Sequence, residues 1–169
     1  GSVRAGACKA LGAVAPHQDL DEDELFASAA GRSLAGMRDD RALAVRIAAA
    51  GALASFLDGL RHASERAPVG PILHLAHAAL GMCQDNVKVK ASGVRSLGYL
   101  LASCDLAAPA GSGEAEADAW VAAAVDSLLA CLASGSPKVQ WNSCYALGAS
   151  LANESALGHR AVRARLPQV

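Results

Sequence analysis

Apolar residues recur along this chain at three- and four-residue spacing, in long stretches separated by short polar breaks. That is the periodicity of helices with one buried face. Four of the stretches superpose without gaps: residues 3–12, 45–54, 89–98 and 139–148. Each opens on a Val (Val3, Val45, Val89, Val139), followed by a basic or amide residue (Arg4, Arg46, Lys90, Gln140). Eight residues after the Val stands a Leu (Leu11, Leu53, Leu97, Leu147), then a residue with almost no side chain (Gly12, Ala54, Gly98, Gly148). The copies lie 42, 44 and 50 residues apart. A helical unit repeated at such a period cannot bury its apolar face alone, so neighbours stack into a continuous core.

The segments between the copies supply the other helix of each unit. The chain enters in a helix over 3–16, stopped by Pro16, which reads as the second helix of a truncated unit. The acidic cluster Asp19 to Asp23 suits a helix N-terminus, and a helix pair follows over 21–61. Its first helix carries Leu25, Phe26, Ala29 and Leu34 as an apolar stripe, and Asp39 and Asp40 offer cap oxygens to its second. A polar turn over 62–70 leads into a pair over 70–103, with Pro71 in a first turn and Asp85 and Asn86 as caps. Residues 105–114 are predicted to form a flexible loop by composition. The last pair, 115–153, has Trp120, Val121, Val125, Leu128, Leu129 and Leu132 on one broad face. Its second helix begins with Ser136 as N-cap and Pro137 at the first helical position, where a missing N–H is harmless. Residues 154–169 are a partial unit or tail. Neither end shows a polar capping repeat, so the expectation is a fragment whose flanking repeats lie on the same longer chain.

Composition narrows this picture. Hydrophobic residues make up 53% of the chain but aromatics only 4%, so the core is built mostly of Ala, Leu and Val and must be closely packed. A formal charge of −1 leaves no basic footprint, so no nucleic acid or anionic membrane surface is expected as partner. The longest apolar run, 119–133, carries Asp126 in its middle and falls short of the roughly 18 residues that span a bilayer. With no signal segment, the five cysteines predict reduced thiols and a cytoplasmic or nuclear location. Cys8 and Cys144 share a repeat column with Ala50 and Val94, which predicts a small buried slot. The recurring small residue after the Leu predicts close approach by the paired helix, since a helical Gly costs about 1 kcal/mol against Ala.

The copies resemble HEAT repeats, whose second helix typically opens with an Asp-Pro or Ser-Pro turn, then Val-Arg, then Ala-Leu-Gly. Ser136-Pro-Lys-Val139 and Ala146-Leu-Gly148 fit that pattern. Residues 138–148, with 86–98 before them, are similar to the family of HEAT repeat-containing protein 6, a large eukaryotic solenoid protein. The repeat-class resemblance covers nearly the whole chain, and the narrower one about two helices. It implies a non-enzymatic scaffold.

Candidate chemistry is sparse. There is no phosphate-binding loop, dinucleotide fingerprint, nucleophile elbow, calcium loop or His-Glu-x-x-His. His74 and His77 share a helix face but lack a spaced third ligand, since Cys83 lies six residues on, so no metal is expected. Asn153-Glu-Ser155 matches a glycosylation acceptor and reads as chance without a secretory signal. The basic ladder Arg4, Arg46, Lys90 is predicted to bridge turns between neighbouring repeats, with a phosphate or acidic-peptide stripe as the alternative. The most informative columns are those two, six and ten after the Val, which turn away from the buried side. They hold Lys9 in the first copy, Arg95 and Tyr99 in the third, and Trp141 and Tyr145 in the fourth. Second helices line the concave surface that solenoids use for binding, and Trp, Tyr and Arg are the usual anchor types. Arg95, Tyr99, Trp141 and Tyr145 are therefore the predicted partner-binding residues, with packing of Trp141 on an adjacent repeat as the alternative.

The sequence thus predicts an all-α fold, a right-handed α-solenoid (an α-α superhelix) of HEAT/armadillo-like helix pairs. It predicts a non-catalytic scaffold that binds a protein partner on its concave face and needs no cofactor. The alternative is a nuclear transport adaptor recognising extended peptide cargo. Armadillo-type adaptors read such peptides with Trp and Asn four residues apart, whereas Tyr145 stands four after Trp141 here. A helical enzyme would need a catalytic constellation that the sequence does not show.

Overall fold

Caps cut the chain where the sequence places its polar breaks. Asp40 Oδ1 accepts from the Ala42 N–H at 2.8 Å and Asn86 Oδ1 from Lys88 at 3.0 Å, each ahead of a long helix. Pro137 opens another at its first turn; the Ser136 hydroxyl, predicted as its cap, makes no capping bond. The computed structural model describes residues 1–14, 24–59, 66, 72–106 and 114–168. Its helices are α1 (Ser2–Val14), α2 (Glu24–Gly36), α3 (Leu43–Gly59), α4 (Leu73–Met82) and α5 (Val87–Ser103). After these come α6 (Glu114–Leu132), α7 (Pro137–Leu151), α8 (Glu154–Gly158) and α9 (Arg160–Arg163). The protein is all-α, and no strand occurs among the described residues. Pro16, the acidic residues 19–23, most of the turn over 62–70, Pro71 and residues 107–113 of the predicted loop lie outside that description, as do the side chains of Leu25 and Phe26.

The four copies form one row, in which α1 packs on α3, α3 on α5 and α5 on α7. Behind it stands a second layer: α2 lies against α3, α4 against α5 and α6 against α7, with α4 touching both α2 and α6. The short α9 continues that layer beside α6. One apolar core runs through both layers. Trp120 on α6, 1% exposed, is its largest side chain, and Val121, Val125 and Leu128 share the same face. On α2 the buried face is Ala30, Gly31 and Leu34; Ala29, placed in the stripe by the sequence reading, is exposed.

Burial follows the repeat columns wherever both neighbours exist. Val45, Val89 and Val139 are fully buried, as are Leu53 and Leu97, and Leu147 is nearly so. The first copy departs from the expectation: Val3 is 83% exposed and Leu11 only half-buried. The physical reason is that these columns point at the layer behind, where among the described residues α1 has no paired helix of its own and Leu11 borders an open pocket with Ser33, Leu34 and Met37. The shared slot of Cys8, Ala50, Val94 and Cys144 is corrected at the other end. Its first three members are buried, but Cys144 is exposed. That column faces the following unit, which beside α7 is only the short α8–α9 segment.

Candidate functional site

The row of second helices is held at small-residue contacts. A Cβ added at Gly98 would lie 2.6 Å from Ala146 Cβ, and one at Gly12 2.8 Å from the Cα of Ala52. Real Cβ atoms do not approach that closely, so both glycines are required by contact. The approaching helix is the next second helix and not the paired one, which corrects the sequence expectation. In the middle of the row Ala54 and Ser96 hold the same two positions, both fully buried. Gly148, by contrast, has nothing within 4 Å.

Polar links tie the ends of adjacent units. Arg4 reaches Asp40 through Nε at 2.7 Å, and Arg46 reaches Asp85 at 2.7 Å. Both are two-pronged, and Arg46 Nη1 also donates to the Asp40 carbonyl at 3.0 Å. The arginine beside each carboxylate holds Asp40 and Asp85 below the ordinary carboxylate range. In the fourth copy Gln140 Nε2 donates to the Leu132 carbonyl at 3.1 Å. Arg4 and Arg46 therefore join turn to turn, as the sequence reading expected, whereas Lys90 shows no such pair and Gln140 bonds within its own helix pair.

On the face turned away from the α2–α4–α6 layer, a groove runs between α1 and α3, lined by Lys9, Gly12, Ala13, Ile47, Gly51 and Ser55 among others. The residues at those registers on α5 and α7 are Arg95, Gly98, Tyr99, Trp141, Tyr145 and Ala149. Gly98 and Ala146 are the contact point there, with Tyr99 and Tyr145 as their chain neighbours. Trp141 is 73% exposed and Tyr145 53%, while Arg95 and Tyr99 are half-buried. Arg95 Nε is buried without a hydrogen-bond partner. This face offers aromatic surface and a guanidinium, which suits a ligand with apolar groups and an acceptor.

Several polar residues that hold the site were not identified from the sequence. Asn142 Nδ2 donates to the Ala91 carbonyl at 2.7 Å, fixing α7 on α5 directly beneath Trp141. Ser143, fully buried, donates to the Leu128 carbonyl and fixes α7 on α6. Asn153 donates to the carbonyls of Leu101 at 2.7 Å and Cys104 at 2.9 Å while capping α8. It is 1% exposed, so its match to a glycosylation acceptor has no accessible amide. A signal did exist for Asn142: it stands in a column otherwise made of Gly6, Ala48 and Ser92. In the tail, His159 Nε2 meets Asp118 at 2.9 Å and Arg165 pairs with Asp126, which pins α9 along α6.

His77 lies 3.1 Å from Glu116, and among the described residues no group of three or more His, Cys, Asp or Glu side chains gathers as metal ligands. All five thiols are free, and burial pushes those of Cys83 and Cys104 up to about 12. No described helix is long and apolar enough to cross a membrane. No family model matches the chain.

Proposed function

We propose that this chain is a segment of a right-handed α-solenoid of HEAT/armadillo-like pairs that serves as a non-catalytic protein-binding scaffold. The partner lies along the face formed by Arg95, Tyr99, Trp141 and Tyr145. The observation that carries the reading is the exposure of Trp141 and Tyr145 on α7. The chain is poor in aromatics, with two Trp and two Tyr in all. Leaving one Trp and one Tyr in water, on the helix that buries Asn142, Ser143, Ala146 and Leu147, is unfavourable unless something covers them.

The adaptor reading shares Trp141 but finds no asparagine to hold a peptide backbone. Asn142 is turned inward onto Ala91, and Tyr145 stands at the other register. The test is affinity capture with mass spectrometry, comparing the unmodified protein with a Trp141→Ala/Tyr145→Ala variant. Loss of specific partners, with an unchanged helical circular-dichroism signal and melting temperature, supports the proposal. Unfolding of the variant, or undiminished capture, removes it.

A further inference from the structure

The formal charge of −1 averages over two unlike sides of the molecule. The four row helices carry seven basic residues and one acidic residue, Asp58 near the end of α3. α6, in the layer behind, carries four acidic residues and no Lys or Arg. On the row, Arg4 and Arg46 are engaged by Asp40 and Asp85 in the turns. Lys88, Arg95 and Lys138 are not so engaged: among the described residues, no carboxylate pairs with any of them.

These three cations share one face. Lys88, Arg95 and Tyr99 lie seven and then four residues apart on α5, and Lys138 and Tyr145 seven apart on α7, so each set forms a stripe along its helix. Lys88 and Lys138 hold the same repeat register, the residue before the Val. Ala44 and Lys88 at that register are exposed although α3 and α5 each have a row neighbour on either side, so the opening belongs to the face and not to an end of the row. Both lysines stand in the first turn of a helix that has no acidic residue there. The macrodipole disfavours positive charge at that position, so neither lysine serves to hold its own helix.

We infer that the segment bound on this face is an extended acidic peptide that crosses from α5 to α7. Gly98 and Ala146 bring these two helices into close contact. Axes of helices so packed lie about 8–10 Å apart, the length of about three residues of extended chain. Carboxylates at that spacing meet Lys88 and Lys138, and the chain between and beyond them lies against Arg95, Tyr99 and Tyr145. The acidic side of the molecule repels the same segment, so the charge distribution selects this face. A nucleic-acid strand fits less well, because it brings a phosphate at every nucleotide to a face with few cations on a chain of negative net charge. The inference rests on the reading of this face as a partner-binding surface and names the chemistry of what it takes.

The test is fluorescence anisotropy with three labelled probes: a short peptide with Glu at every third position, the same peptide with Gln for each Glu, and a single-stranded oligonucleotide of equal charge. Each is titrated with the unmodified protein and with a Lys88→Glu/Lys138→Glu variant. Glu in a first turn is favoured by the dipole, so the variant is expected to melt no lower than the unmodified chain. The Glu peptide is expected to bind more tightly than the other two probes, to weaken with added salt, and to lose about tenfold in affinity for the variant. No binding of the Glu peptide, equal binding of the Gln peptide, a preference for the oligonucleotide, or undiminished binding by the variant overturns the inference. Partner capture that is lost with Trp141→Ala/Tyr145→Ala but kept with Lys88→Glu/Lys138→Glu also overturns it, and leaves the partner face itself standing.

Discussion

Helices α1 and α5 carry the same ten-residue pattern and meet opposite fates. Val89 and Leu97 are fully buried, whereas Val3 is 83% exposed and Leu11 half-buried. α5 has row neighbours on both sides and α4 behind it; among the described residues α1 has α3 alone in the row and borders an open pocket with Ser33, Leu34 and Met37. At the far end, α7 keeps its helix behind and loses only the side facing onward. Its Val139 and Leu147 stay buried while Cys144 and Gly148 are open. Each column therefore reports one particular neighbour. The Val and Leu columns report the layer behind, and the Cys and Gly columns report the unit that follows.

The largest effect should come from deleting the same side chain in these two settings. Leu97→Ala should destabilise by about 2–5 kcal/mol, the range for a fully buried leucine. Leu11→Ala should lose well under half of that, and urea melts of the two variants measure the ratio. Equal losses would mean that Leu11 is as well covered in solution as Leu97.

Next in size is a pair of substitutions expected to differ in sign. Gly98→Ala forces a methyl into Ala146 and should cost about 1–3 kcal/mol despite the better helix propensity. Gly148→Ala meets nothing and should stabilise by about 0.5–1 kcal/mol through propensity alone. Thermal melts at low protein concentration decide this, and a stabilised Gly98→Ala would refute the contact rule.

The smallest effect concerns the turn-to-turn ion pairs. The Arg46 and Asp85 side chains are about one-fifth exposed, whereas the Arg4 side chain is half exposed, so Arg46→Met should weaken the fold more than Arg4→Met. The Arg46 guanidinium holds the folded-state pKa of Asp85 below its ordinary value of about 3.9. The stability it adds is present above that value and is lost as the pH falls through its folded pKa. Melting temperatures measured from about pH 6 down to about pH 3 should fall less steeply for Asp85→Asn than for the unmodified chain.

Much of this was legible in the residues. Helix positions, the repeat columns, the Asp40 and Asn86 caps and the bridging arginines follow from periodicity and local chemistry, which act over a few residues. So did the outward turn of Trp141 and Tyr145, because one helix fixes which columns oppose its buried face. Asn142, Ser143 and Asn153 were harder, because their partners at Ala91, Leu128, Leu101 and Cys104 lie 15 to 52 residues away. A small polar residue in a helix carries no local sign of such a bond.

Column identity was determined by the sequence alone: Val3 equals Val89, Cys8 equals Cys144 and Gly12 equals Gly148. Whether a column is buried was decided by tertiary structure, because burial belongs to a pair of surfaces. A repeat specifies only its own surface, and the neighbour supplies the other. The same holds for glycine: Gly98 is demanded by Ala146 at 2.6 Å, while Gly148 keeps the same register with no atom within 4 Å.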